Sequence, residues 1–171
     1  MEIFIIIILV AVLLAIWIIS VKRRLMTMNE NVNNAMNQIG VQLSSCFDAL
    51  IALLDLTGIY VAYESLKLKE TIQAKRRVIG AKSSPEEVVG QEKVITETLE
   101  RIALIAERCP ELETDQNYAK CRDAVNSYEK MMRTGRLIYN DSVAKLNRTI
   151  RRIPTVLIAG ILGFHQRDYF V

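Results

Sequence analysis

Proline is scarce, with three in a chain of 171 residues, and none stands before Pro85. Nothing in the first half therefore forces a helix to end. Histidine occurs once, at His165. No thiol or carboxylate stands at ligand spacing from it, so no metal site and no general base are expected. The three cysteines, Cys46, Cys109 and Cys121, are odd in number and form no CxxC pair. That argues against a disulfide framework and for a reducing compartment. All three fall on apolar stripes and read as small buried hydrophobes rather than nucleophiles. Cys109 and Cys121 flank one interhelix turn, which could make them neighbours. No phosphate-binding glycine loop, HExxH or Ser–His–Asp order occurs, so neither a cofactor nor an enzymatic reaction is expected. No segment alternates at period two, which argues against a sheet.

What is present is a long apolar run. From Ile3 to Val21 the only hydroxyl is Ser20. As a helix the run spans about 28 Å, close to the hydrocarbon thickness of a bilayer. Ile3, Phe4, Leu9, Leu14, Trp17 and Val21 are the residues expected to face lipid. A cleaved signal would need a basic start, a shorter run and a small-residue cleavage site. Here the start is Met1-Glu2, and Lys22-Arg23-Arg24 follows the run directly. The run reads as a transmembrane anchor. The basic triplet places the N-terminus outside and the remainder in the cytosol. All 22 basic residues lie beyond Val21, with all but one of the 19 acids. The cytosolic part is mildly basic, which suits an anionic membrane surface and is too weak to indicate nucleic acid. Residues 1–24 are thus an anchor with its basic flank, and residues 25–171 a cytosolic bundle. Ala11 and Ala15 make a small-xxx-small pair, a weak hint of helix pairing.

The rest reads as helix, so the fold class is all-α. Val32, Met36, Ile39, Leu43, Cys46, Leu50, Leu53, Thr57 and Tyr60 step by four and three along one stripe. With no proline in the way, the anchor helix is expected to continue as one rod to about Ile79, capped by Gly80, with Gly58 its likeliest bend. Asp48 and Asp55 argue against a second span within it. Ser84, Pro85 and Glu87 form a capping box that opens a second long helix, with Val88, Ile95, Leu99, Ile102, Ala106 and Cys109 on one side. Thr114 or Asp115 can cap a third. Its stripe is Tyr118, Cys121, Val125, Tyr128, Met132, Tyr139, Val143, Leu146, Ile150 and Ile153. Gly135 fills the missing slot, where another helix could approach closely. Pro154 ends that helix. A short fourth helix, Thr155 to Leu162 with Gly163 as its stop, closes one end of an antiparallel bundle.

With these elements in place, the chain resembles the LemA family of bacterial membrane proteins. The resemblance rests on CPELETDQNY at 109–118, YNDSVAKLNRTIRRIP at 139–154 and LIAGILGFHQRDYF at 157–170. NENVNNAMNQIGVQL at 29–43 matches more loosely. It implies a helical bundle, an anchor with the N-terminus outside, a place in the bacterial inner membrane and involvement with membranes. It implies no known reaction. Some members are tied to building intracellular membrane compartments. Three departures stand out. Ser45-Cys46 replaces a usual Arg pair, Ile51-Ala52 replaces Pro-Asn, and Tyr63-Glu64 replaces His-Glu. Losing that proline favours a straight first helix.

Helix lengths suggest where the apolar tail lands. Residues 22–79 as a straight rod would reach about 85 Å, the second helix would return about 36 Å, and the third would go out again about 58 Å. That sum puts the tail at the distal tip unless the chain bends sharply at Gly58. There Val156 to Phe164 would be buried in a protein contact, partly with a neighbouring molecule. The residues expected in that assembly contact are Arg151, Arg152, Leu157, Ile158, Ile161, Leu162 and Phe164. Arg148, Arg151 and Arg152 either supply favourable charge at a helix C-terminus or clamp phosphate headgroups or an acidic neighbour. A charged belt of Glu64, Lys67, Lys69, Glu70, Lys75, Arg76 and Arg77 is either a solvated face or a contact between protomers. The leading functional expectation is a membrane-anchored, non-enzymatic homo-oligomer that scaffolds or remodels the bilayer. The alternative is an anchored adaptor presenting its bundle to a protein such as a protease or sensor.

Overall fold

A computed structural model describes all 171 residues and contains helices and no sheet, the last residues forming a single extended strand outside any ladder. Helix α1 runs unbroken from Glu2 to Thr57. Its outer part holds an 18-residue window of mean hydropathy 3.4, none of it buried, and is long and apolar enough to cross a membrane. Further along, the same helix becomes the spine of the bundle. Leu25, Val32, Met36, Ile39, Leu43, Cys46, Leu50, Leu53 and Thr57 are all buried. The helix passes straight through Ile51, as the missing proline allows.

The rod to Ile79 does not form. The chain turns at Gly58, whose N–H donates to the Leu54 carbonyl at 2.8 Å. Helix α2, Ala62–Lys75, then folds back along α1. Lys69 Nζ reaches Asp55 Oδ1 at 2.6 Å. Arg76 donates to Asp48 Oδ1 at 2.7 Å and to Ser44 Oγ at 2.6 Å. The Ile79 carbonyl lies against Gly40, where any Cβ would collide with it. Gly80 therefore caps no long helix. It opens a turn in which the Ser83 N–H donates to its carbonyl at 2.9 Å.

Helix α3, Pro85–Arg108, starts at the capping box. The Glu87 N–H donates to Ser84 Oγ at 3.2 Å and the Ser84 N–H to Glu87 Oε2 at 2.9 Å. Such a cap contributes about 1 kcal/mol. A short α4, Pro110–Thr114, follows, and Asp115 then accepts from the Asn117 N–H at 2.7 Å. Helix α5, Gln116–Arg151, runs back beside α1 and reaches α3 through the Arg136–Glu92 pair. The last helical turn, α6, covers Val156–Ala159.

Helices α1 and α5 approach closely at Gly135, where a Cβ would stand 2.9 Å from Ile39 Cγ1. Leucine there must push the helices apart or displace Ile39, at roughly 1–3 kcal/mol. Gly135→Leu should lower the melting temperature of the chain in mild detergent. An unchanged temperature would show that the helices do not need this contact.

The reversal at Gly58 also moves the tail. Antiparallel helices rise equally per residue, so from the Gly135–Ile39 contact the end of α5 comes level with roughly residue 23 of α1. The expectation of a distal tail is thus overturned. The tail lies at the base of the bundle, beside the apolar half of α1. Ile153, expected on the buried stripe, is 85% exposed because α5 has already ended.

Candidate functional site at the base of the bundle

After α6 the chain reverses at Gly163, which has φ of +78°. Residues 164–171 then run back along α5, held by asparagine side chains. Asn147 Nδ2 donates to the Arg167 carbonyl and Asn147 Oδ1 accepts the Arg167 N–H, both at 2.9 Å. Asn140 does the same for Phe170, again at 2.9 Å each. The register has a geometric cause. Two turns of helix separate the asparagines by about 10 Å, the length of three residues of extended chain. Each amide thus presents a donor and an acceptor to successive points on the strand.

Other contacts lock the same strand. Tyr139 Oη donates to the Asp168 carbonyl at 3.1 Å, and its ring meets Phe170 edge-on at 5.0 Å. Burial raises the pKa of that phenol. Arg167 Nη2 reaches Asn29 Oδ1 and Asn33 Oδ1 on α1, each at 3.3 Å. Arg136 stacks over Phe170 at 5.2 Å and pairs with Glu92 of α3. Burial lowers the pKa of this guanidinium. The strand therefore stitches α1 to α5.

The expected assembly residues do gather here, but they face different ways. Leu157 and Ile161 are exposed, while Ile158, Leu162 and Phe164 are half-buried. Arg151 donates to Gln166 Oε1 of its own chain at 2.6 and 3.0 Å rather than to an acid. Arg148 and Arg152 are exposed. Lys22, Arg23 and Arg24 are exposed on α1 at the same height. Ile3, Phe4, Leu9 and Leu14 are exposed, whereas Trp17 and Val21 are half-covered. In the charged belt, Lys69 and Arg76 hold α2 to α1, and Glu64, Lys67, Glu70, Lys75 and Arg77 are exposed.

His165 is exposed, and no group of three His, Cys, Asp or Glu side chains comes together. Cys109 and Cys121 are free and half-buried. Cys46 is fully buried, and desolvation, with Glu129 adding to it, pushes its thiol up to about 12. The folded chain thus keeps a proton that an unfolded thiol loses near pH 9. This contribution is intact below pH 9 and falls by up to about 1.4 kcal/mol per pH unit above it, until the folded thiol itself ionises. Between pH 8 and pH 10.5 the wild type should lose more urea resistance than Cys46→Ala. Equal losses would show that the thiol contributes nothing.

The strand clamps escape a reading by residue type. Asn29, Asn33, Asn140 and Asn147 disfavour helix interiors, which was the available signal. Asn147 in particular sits among the apolar positions of α5 and is buried.

The sequence model of the LemA family matches residues 35–171. No curated protein matches the chain.

Proposed function

The chain belongs to the LemA family, and on that premise we propose that it is a non-enzymatic protein of the bacterial inner membrane. It crosses the bilayer once, with its N-terminus outside and its bundle in the cytosol, and it self-assembles to scaffold or remodel that bilayer. The observation that carries this reading is the continuity of α1. An apolar run with no buried residue and the spine of the bundle are one helix without a break. A bundle joined to its anchor by continuous helix cannot tilt freely about a linker. Contacts between neighbouring bundles would therefore bear directly on the angle between their anchors, and so on curvature.

The adaptor reading has one observation in its favour. An open groove between α1 and α5, lined by Gln38, Gln42, Ser127, Met131, Thr134 and Ile138, has its floor at Ile39 and Gly135. A partner helix could lie there. Light scattering in mild detergent separates the two readings. Self-assembly requires a protein mass several-fold above 19.4 kDa. A monomeric mass would remove the scaffold and leave the adaptor. For topology, a C-terminal reporter should be active only in the cytosol, and activity only outside would overturn the orientation.

A further inference from the structure

The geometry points to a second membrane element: the hairpin Arg152–Gly163 seats its exposed apolar side chains in the cytosolic interface of the bilayer that α1 crosses. This rests on the reading of α1 as a membrane span.

Height is the first support. The chain leaves α5 at Arg151 and is tied back to it at Gln166, so the residues between them form a closed loop at the end of α5. That end is level with roughly residue 23 of α1, where the apolar run begins. Coverage of α1 gives an independent check. Leu25 is completely buried, and Val21 and Trp17, one and two turns further down the same stripe, are half-buried. Every other residue from Met1 to Arg24 is exposed. The α2–α3 connection turns over higher up, with Gly80 beside Asn37. Val21 packs against the buried core, so protein cover on α1 extends down to the height of the hairpin.

The second support is the hairpin's own pattern. Ile153, Leu157 and Ile161 are 85%, 71% and 85% exposed and step by four. Val156 is exposed beside them. Ala159 is buried, and Ile158, Leu162 and Phe164 are half-buried on the other side. Both sides of the loop are thus apolar. One packs on the bundle, and the other has no protein cover. Soluble surfaces rarely leave such a stripe open, whereas an interfacial segment buries it among headgroups and first methylenes.

Charge decides between lipid and a second copy of the chain. No acid occurs between Glu2 and Glu30 or between Asp141 and Asp168. The base therefore presents Lys22, Arg23, Arg24, Arg148, Arg151 and Arg152 without an acid among them. Two parallel copies meeting through their hairpins would bring these cations together. Anionic headgroups would instead neutralise them, each cation near the surface gaining from that potential.

Depth-dependent fluorescence quenching tests this in the full chain, reconstituted in vesicles of phosphatidylcholine and phosphatidylglycerol. Trp17 is the only tryptophan and reports on the anchor. Trp17→Phe with Leu157→Trp moves the reporter to the hairpin, at an exposed position that tolerates it. Ile161→Trp is the second site should the first variant lose helicity. In the wild type, Trp17 should be quenched by brominated lipid. The hairpin reporter should be quenched at least twofold more by bromines near the carbonyl end of the acyl chain than by bromines near its tip. Quenching of Trp17 alone would overturn the hairpin insertion and leave the anchor standing. No quenching at either position would overturn the anchor. A blue-shifted hairpin reporter that lipid bromines do not quench would overturn the insertion too, and would place the loop against a second copy.

Discussion

Asn147→Leu should free the C-terminal strand while the helices stay folded. The substitution nearly preserves side-chain size, so packing around position 147 is little changed. What it removes is both bonds to Arg167, each 2.9 Å long. The Arg167 N–H and carbonyl would then be left without partners in a partly buried place, at about 1–3 kcal/mol for each group. The strand can escape most of that cost by leaving the bundle for water. Hydrogen exchange reads this directly, because the Arg167 and Phe170 amides donate to asparagine side chains rather than to a regular ladder. In the wild type both amides should exchange slowly. In Asn147→Leu the Arg167 amide should exchange at least about 100-fold faster, as a loss near 3 kcal/mol implies. Asn140→Leu should act mainly on Phe170. Unchanged protection at Arg167 would show that the clamp does not hold the strand.

These clamps mark the boundary of what the sequence made legible. The apolar stripes of α1, α3 and α5 were readable because each repeats over many turns, and the periodicity is fixed by the faces they bury. The capping box was readable because its four residues are local. Asn140 and Asn147 were not, because their partners are backbone groups of a strand 20 to 30 residues away. An asparagine that clamps backbone looks, in sequence, like one facing solvent.

The reversal at Gly58 was foreseen as a bend and turned out to be a full return. Its cause lies in α2, which buries only Ser65, Leu68 and Ile72 and is otherwise rich in Lys and Glu. So short an apolar stripe gives little signal of a partner. What fastens α2 to α1 are pairs such as Lys69 with Asp55 and Arg76 with Asp48, which join residues 14 and 28 apart. The consequence is large because heights add with sign. Once residues 62–75 run back instead of outward, the end of α5 moves from the far tip to the base. The tail residues read in sequence as an apolar group in need of cover. Their surroundings could not be, since that depended on one turn.

Glu92→Ala should destabilise the bundle more than the double replacement Glu92→Leu with Arg136→Met. Arg136 is held in two ways: its guanidinium pairs with Glu92 and lies over Phe170, while its buried Nε has no hydrogen-bond partner. The two paired side chains keep only 28% and 21% of their exposure. Removing the carboxylate leaves a cation in a place that already lowers its pKa by desolvation. Breaking a fully buried pair costs about 3–5 kcal/mol, and this pair is partly wet, so about 2 kcal/mol is expected. Replacing both partners by apolar residues of similar volume removes that uncompensated charge and should cost less than about 1 kcal/mol. Urea unfolding of the full chain in mild detergent, run as a double-mutant cycle, measures the difference. Additive losses would mean that the two side chains do not depend on each other. Non-additive losses, with the double variant close to wild type, would locate the strain in the unpaired Arg136. The effect should also reach the strand, since Arg136 touches α3 through Glu92 and the tail through Phe170. In Glu92→Ala the freed guanidinium can reorient toward water and leave the ring. Faster exchange at the Phe170 amide in that variant, and less in the double one, would show that one charged pair couples the α3–α5 packing to the docking of the tail.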